Sequence, residues 1–307
     1  MNQQLPFRIN PTMRVAAAFI LLLSIYAAGQ TAAPASSSAP AIAAPTSSVP
    51  AQTNSVPASW PTAQFASTKD PGVQKALQVL NDMIRGLGGD AYLNIRDMKS
   101  EGRTYGFYHG RPNSMSIEFW RFWEWPDNER IEITKQRDIV ELFLGDKGYE
   151  ITYKGTGTQD PKEMEDYLRR RDHSLEYVIR KWLAAPGTMI LYDGTAMVEQ
   201  NLADQVSVLN ANNDSVTISV DPRTHLPVKT SYSWRDSVDR QMDDESVVYA
   251  NYKLIQGIQT PYSTVRNRNG EMTNQRFITA ASYNTGLSPT LFETKGITYN
   301  PGKQQPK

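Results

Sequence analysis

The chain is 307 residues long and carries 32 Lys and Arg against 32 Asp and Glu, a formal charge of zero. That balance gives no long-range pull toward nucleic acid or an anionic membrane surface. The absence of cysteine excludes disulfides, thiolate metal sites, a cysteine nucleophile and a lipid-modified cysteine behind an export signal.

Residues 1–29 have the pattern of a secretory signal peptide. Arg8 and Arg14 supply positive charge, Val15 to Tyr26 is apolar, and Ala27-Ala28-Gly29 offers the small residues a peptidase needs. The apolar run is short of the ~20 residues of a membrane span, so cleavage would leave no integral membrane segment; an uncleaved anchor is the alternative. Residues 30–67, rich in Ala, Pro, Ser and Thr, have too little bulky apolar surface to offset ordering entropy. They read as a disordered tether, with Trp60 and Phe65 tucked onto the domain that follows. The folded domain is expected over 68–300, with a loose tail at 301–307.

The domain opens on a helix. Asp70 is its N-cap and Pro71 stands in its first turn. Val73, Leu77, Leu80 and Ile84, flanked by Ala76 and Met83, fall on one face, and Gly86, Gly88 and Gly89 stop it. Strand-like runs follow at 92–108, 114–125, 129–134, 137–144 and 149–153, divided by turns rich in Gly, Pro, Asn and Asp. Gly155 to Asp160 reads as loop. Pro161 to Ala185 reads as helix, an insertion spanning 160–185 with a bend near Asp172-His173. Met164, Leu168, Leu175, Val178, Ile179, Trp182 and Leu183 mark its buried side, and Arg169-Arg170-Arg171 its wet side. Strand character resumes at 189–193, 195–200 and 203–210. The most regular stretch is last. Runs at 216–220, 228–234, 245–254 and 258–268 alternate as a four-strand meander that leads into 272–283.

Two helical segments cannot cover both faces of so long a sheet, and a long antiparallel sheet curls. The order therefore predicts a mostly β (α+β) fold: a curved, unclosed antiparallel β-barrel with two or three helices across its concave side.

Patterns that carry chemistry are sparse. His109, His173 and His225 lack metal-ligand spacing. No nucleophile elbow, phosphate loop or dinucleotide fingerprint occurs. Glu118 and Glu124 share a strand face but lie ~20 Å apart at ~3.3 Å per residue, too far for a glycosidase dyad. Asp243-Asp244-Glu245 reads as solvated. No catalytic residue, metal or cofactor is implied. The aromatic strand is more informative: Ile117, Phe119, Arg121, Trp123 and Trp125 point one way, and Glu118, Trp120, Phe122 and Glu124 the other. Rings on both faces suit a strand covered on both sides. One face is either core alone or the wall of a cavity for an apolar ligand, and its rings could also stack on sugars. The candidate lining is Phe119, Trp123, Trp125, Ile131, Leu142, Val216, Ile218, Tyr232 and Trp234.

Several turns resemble those of a known superfamily. Gly145-Asp146-Lys147-Gly148-Tyr149-Glu150, the hairpin Asp221-Pro222-Arg223-Thr224-His225-Leu226-Pro227, the step from Tyr252 through Gly257 to Pro261, and Ser288-Pro289-Thr290-Leu291-Phe292 are similar to motifs of the LolA/LolB-like superfamily, the outer-membrane lipoprotein-sorting and RseB-type proteins. Each turn also has a local reason: Asp221 and Thr224 close a turn by side-chain bonding, and Pro261 suits a position where no ladder donor is needed. The resemblance spans Asp70 to Glu293. It implies an unclosed β-barrel with helices as a lid over a hydrophobic cavity. It further implies an exported, non-enzymatic carrier or sensor in the periplasm or another extracytoplasmic space. Its ligand would be a lipid or acylated protein, and an envelope protein would be a further partner. Two other classes stay open. A glycan-acting hydrolase or glycan-binding protein needs inward carboxylates within ~10 Å; an envelope scaffold needs a barrel filled by its own side chains.

Overall fold

The computed structural model describes residues 57–294 apart from Ser114. The expected signal (1–29), the tether before residue 57 and the tail (301–307) lie outside the described residues.

Fourteen strands occur in chain order. They are β1 (Asp97–Tyr108), β2 (Arg111–Pro112), β3 (Ile117–Glu124), β4 (Asn128–Ile133), β5 (Ile139–Leu144), β6 (Lys147–Thr152) and β7 (Gly155–Thr158). After a helical segment come β8 (Met189–Val198), β9 (Asn201–Leu209), β10 (Ser215–Val220), β11 (Pro227–Arg235), β12 (Met242–Ile255), β13 (Ile258–Arg268) and β14 (Glu271–Tyr283). All belong to one antiparallel sheet ordered β7-β6-β5-β4-β3-β1-β14-β13-β12-β11-β10-β9-β8, with the short β2 paired to β1. The end strands β7 and β8 do not pair with each other, so the curved sheet stays an open barrel. Two local meanders thus meet at a central seam, β1 against β14. The stretch 214–283 holds five strands where four plus a lead-out are expected.

The helix α1 (Pro71–Leu87) starts as its sequence dictates: the Asp70 carboxylate accepts from the amides of Gly72 (2.8 Å) and Val73 (3.0 Å). It buries Ala76, Val79, Leu80, Met83, Ile84 and Leu87. The stripe is turned from the expected one, leaving Val73 and Leu77 half-buried, because α1 lies along β8 and β9 and also meets β13. A short helix, α2 (Asp90–Leu93), follows. The segment 57–67 docks on these helices: Trp60 is buried with its indole Nε1 donating to Asp90 (2.9 Å), and the Thr62 hydroxyl donates to Asn81 (2.6 Å).

The expected helix over 161–185 is broken. It comprises α3 (Pro161–Asp172), α4 (Leu175–Tyr177) and a π-helical turn at Val178–Trp182. The break falls at His173-Ser174, near the expected bend, where the Ser174 hydroxyl accepts from the Tyr177 amide (3.4 Å). Burial is confined to the second half. Leu175, Tyr177, Val178, Ile179, Trp182 and Leu183 are buried, whereas Met164 and Leu168 in α3 are only half-buried. The loop expected at 155–160 contains β7 instead. Its Gly-Thr-Gly-Thr is exposed throughout, so an edge strand forms without any apolar alternation to announce it.

The main core lies on the concave side. There α1 and the turn at 178–183 pack on Ile190, Val206, Val208, Val216, Ile218 and Val220. A smaller cluster on the opposite face unites Phe122, Val140, Leu142 and Ile151 under Phe292. At the seam, the register of β1 on β14 shifts between Glu101 and Gly102. A Cβ on Gly102 would sit 1.9 Å from the Phe277 carbonyl oxygen. Gly102→Ala must push two central strands apart and is expected to lose about 1–3 kcal/mol, read as a lower urea midpoint; an unchanged midpoint would show that the seam yields freely.

Candidate functional site

The half of the concave side that α1 leaves free holds a cavity of about 300 Å³. Its floor is made by β3, β4 and β5 on one side of the seam and β12, β13 and β14 on the other, and α3 and α4 close it. Strand alternation explains the lining. Met98, Trp123, Glu129 and Phe143 stand in one cross-strand row, and Ser100, Arg121, Ile131 and Glu141 in the next. On the far side Tyr249, Thr264 and Arg276 share a row, with Arg266 diagonal to Arg276.

The wall has two characters. Leu87, Tyr92, Ile95, Met98, Trp123 and Ile258 form an apolar end continuous with the main core. Burial pushes the Tyr92 hydroxyl well above its ordinary range, with Glu176 adding to the shift, and that hydroxyl has no partner among the described residues. The other end is charged. Arg121 Nε donates to Glu129, and the Tyr167 hydroxyl donates to the second Glu129 oxygen (3.0 Å). Burial works to raise the Glu129 carboxyl, but Arg121 and the hydrogen bonds win and hold it below the usual carboxylate range. Glu141 behaves oppositely: burial first, then the neighbouring Glu129 charge, hold it above that range. Arg266 lies 3.5 Å from Glu245, and Arg276 stacks over Phe119 with 4.8 Å to the ring centroid. The Nε atoms of both Arg266 and Arg276 are buried without a hydrogen-bond partner.

The cover is held mainly by polar contacts. Asp160 caps α3 through the amides of Lys162 (2.8 Å) and Glu163 (3.3 Å). Lys162 pairs with Asp236 (3.1 Å), Tyr167 stacks on Phe143 (3.6 Å between centroids), and Arg171 donates to the Gly145 carbonyl (2.6 Å). Arg169 lies over Trp234 at 4.0 Å. The Arg169-Arg170-Arg171 run is therefore not the solvated face its flanking acids suggest: all three are half-buried, and Arg170 and Arg171 line the cavity.

Of the nine residues proposed from the sequence, Trp123 and Ile131 stand in the cavity wall. Phe119 is buried on the same strand face beneath Arg276. Trp125 packs against Trp123, Tyr177 and Arg180, the last 3.6 Å from its ring centroid. Tyr232 and Trp234 lie under the cover, Tyr232 stacked on His173 (4.3 Å). Val216 and Ile218 belong to the packed core under α1, and Leu142 faces the opposite side of the sheet. The charged residues were not foreseen. Arg121 interrupts an otherwise apolar strand face, and that interruption is the one signal in the sequence that pointed to them. Among the described residues no group of histidine and acidic side chains is arranged to hold a metal ion.

No family model and no curated protein matches the sequence. Solved structures do resemble the fold. A DUF1329 family protein from Desulfovibrio piger overlays with a TM-score of 0.50 at 15% identity, over 70% of this chain and 96% of that one. A putative outer membrane lipoprotein-sorting protein domain from Vibrio parahaemolyticus gives 0.46 at 10% identity, over 71% and 96%. A LolA superfamily protein from Nitrosomonas europaea gives 0.44 at 11%, over 71% and 97%. At such identity the first likeness is one of fold alone; the other two are weaker overlays and add no argument.

The raised Glu141 carboxyl has a consequence for stability. Its proton is held more tightly folded than unfolded, so stability falls as pH rises from the ordinary carboxylate range through the raised value. Glu141→Gln is expected to melt higher than the parent at neutral pH, with the gap closing below about pH 4, where both side chains are neutral. Equal melting temperatures at pH 7 would refute the assignment.

Proposed function

We propose that the protein is an exported, non-enzymatic carrier or sensor that binds the apolar chain of a lipid or acylated molecule beneath α3 and α4. The observation that supports this is the cavity, whose apolar end runs into the core at Leu87, Ile95, Met98 and Trp123. Burying a chain there would contribute roughly 25 cal/mol per Å². The volume matches about ten water molecules at ~30 Å³ each. In the closed geometry that suits one short chain; a two-chain lipid requires the cover to move. Helix α3 fits such a gate, since it buries no side chain fully while the turn behind it is anchored in the core. Trp123 and Ile131 would touch the chain, and Trp125, Tyr232 and Trp234 would hold the cover. The signal-like N terminus and the resemblance in the turns support action outside the cytoplasm, with an acylated protein or an envelope protein as partner. Among the described residues no helix is long and apolar enough to cross a membrane.

A second reading has an observation behind it. Glu129 and Glu141 are diagonal neighbours on β4 and β5, shifted in opposite directions, as the base and acid of a glycan hydrolase would be. Against it, each Glu129 oxygen already accepts a hydrogen bond, from Arg121 and from Tyr167, which ties the carboxylate into the wall as a structural ion pair.

The test is titration of delipidated protein with a fluorescent fatty-acid probe. Saturable binding near one probe per chain, weakened on the order of tenfold by Trp123→Ala, is expected. Absence of saturable binding, together with turnover of aryl glycosides that Glu141→Gln abolishes, would replace the carrier with the hydrolase.

A further inference from the structure

The charged end of the cavity is more than the apolar-chain reading requires. Besides Arg171, which is committed to the Gly145 carbonyl, four arginines line the cavity there: Arg121 from β3, Arg266 from β13, Arg276 from β14 and Arg170 from the cover. Two have protein partners, Arg121 with Glu129 and Arg266 with Glu245. Arg276 and Arg170 have no ion pair among the described residues. Nor does the sheet fully satisfy the guanidinium edges: the Arg276 Nε is buried with no hydrogen-bond partner, and the Arg266 Nε meets Glu245 only as a 3.5 Å ion contact without a hydrogen bond. An arginine left so in a confined site lacks the charge-assisted hydrogen bonds that normally offset its desolvation.

The surroundings of each group point the same way. Burial first, and then the like charges of Arg121 and Arg266, which act more strongly than the opposite ones of Glu129 and Glu141, bring the Arg276 guanidinium down to about 10. Facing Arg266, the strongest charge is that of Arg170, ahead of Glu245. Of the two carboxylates facing Arg276, Glu129 acts more strongly but is already engaged by Arg121 and Tyr167, and Glu141 is itself held toward its neutral form. Arg170 of the cover and Arg266 and Arg276 of the floor thus meet as like charges, and the cover's own wall carboxylates, Glu163 and Glu176, form no ion pair with them among the described residues, which leaves room for a bound anion.

We propose that the ligand is a single-chain anionic amphiphile whose carboxylate or phosphate head is bound inside the cavity by Arg276, Arg266 and Arg170, with the chain along the apolar end. This rests on the proposed function and specifies its ligand. The head would bridge β13 and β14 to α3, so binding would also hold the cover shut.

The experiment compares four ten-carbon ligands below their micellar concentrations: decanoate, decyl phosphate, decanol and decyltrimethylammonium. Each displaces the fluorescent probe from the parent protein and from Arg276→Gln and Arg170→Gln, the second on a half-buried helix position where folding is least at risk. An anion is expected to bind on the order of tenfold or more tighter than decanol, and whichever anion is tighter identifies the head. Both variants should shrink that ratio while leaving decanol affinity unchanged. Decanol binding as tightly as the anions, or an unaltered ratio in both folded variants, would overturn the proposal while leaving the apolar-chain reading intact. Binding of none of the four would remove both.

Discussion

The governing constraint is a mismatch between one curved sheet and the small amount of helix available to cover it. The inner face must be covered, and α1 with the turn at 178–183 covers mainly the part built by β8 to β10, reaching also the near end of β13. There the sheet answers with Val206, Val208, Val216 and Ile218, packed without exposure. Elsewhere the inner face carries Arg121, Glu129, Glu141, Arg266 and Arg276, and the segment above it is the charged α3. The cavity is what remains when an apolar plug runs out and a polar cover takes over.

Such an arrangement costs stability. Charges taken from water are repaid only when geometry and additional hydrogen bonds are good. The Arg121–Glu129–Tyr167 chain meets that standard, joining β3, β4 and α3. Arg276 does not, and hydrophobic residues of similar volume would stabilise the fold more. Retaining arginines there is understandable as provision for something other than folding.

Much of the architecture was legible. Alternation and turn residues define the antiparallel strands, and Asp70-Pro71 fixes the start of α1 through two amide bonds. The site was less so. Periodicity gives the face of a strand but not which region of a curved sheet lies under which helix, so Val216 and Ile218 could not be told from cavity residues. Met164 and Leu168 keep a helical period yet are only half-buried, Met164 lying against Gly148 near the β7 edge of the sheet. Arg170 is surrounded by acids in sequence, and nothing in that pattern shows that α3 lies over the cavity with Arg170 in its wall. β7 has no apolar residue to reveal it.

The central seam also bears on how the chain reaches this state. Every other long strand pairs with a neighbour close in sequence, whereas Asp97 accepts from the amide of Thr285 across 188 positions. Hairpins on either side can zip early, but the seam carries the loop-closure entropy of nearly the whole domain. Until β14 is made, β1 and β13 each present a bare edge, the kind that pairs with other chains. The C-terminal strand is therefore the closing step of assembly, and a chain lacking it would be two sticky half-sheets and not a smaller version of the same protein.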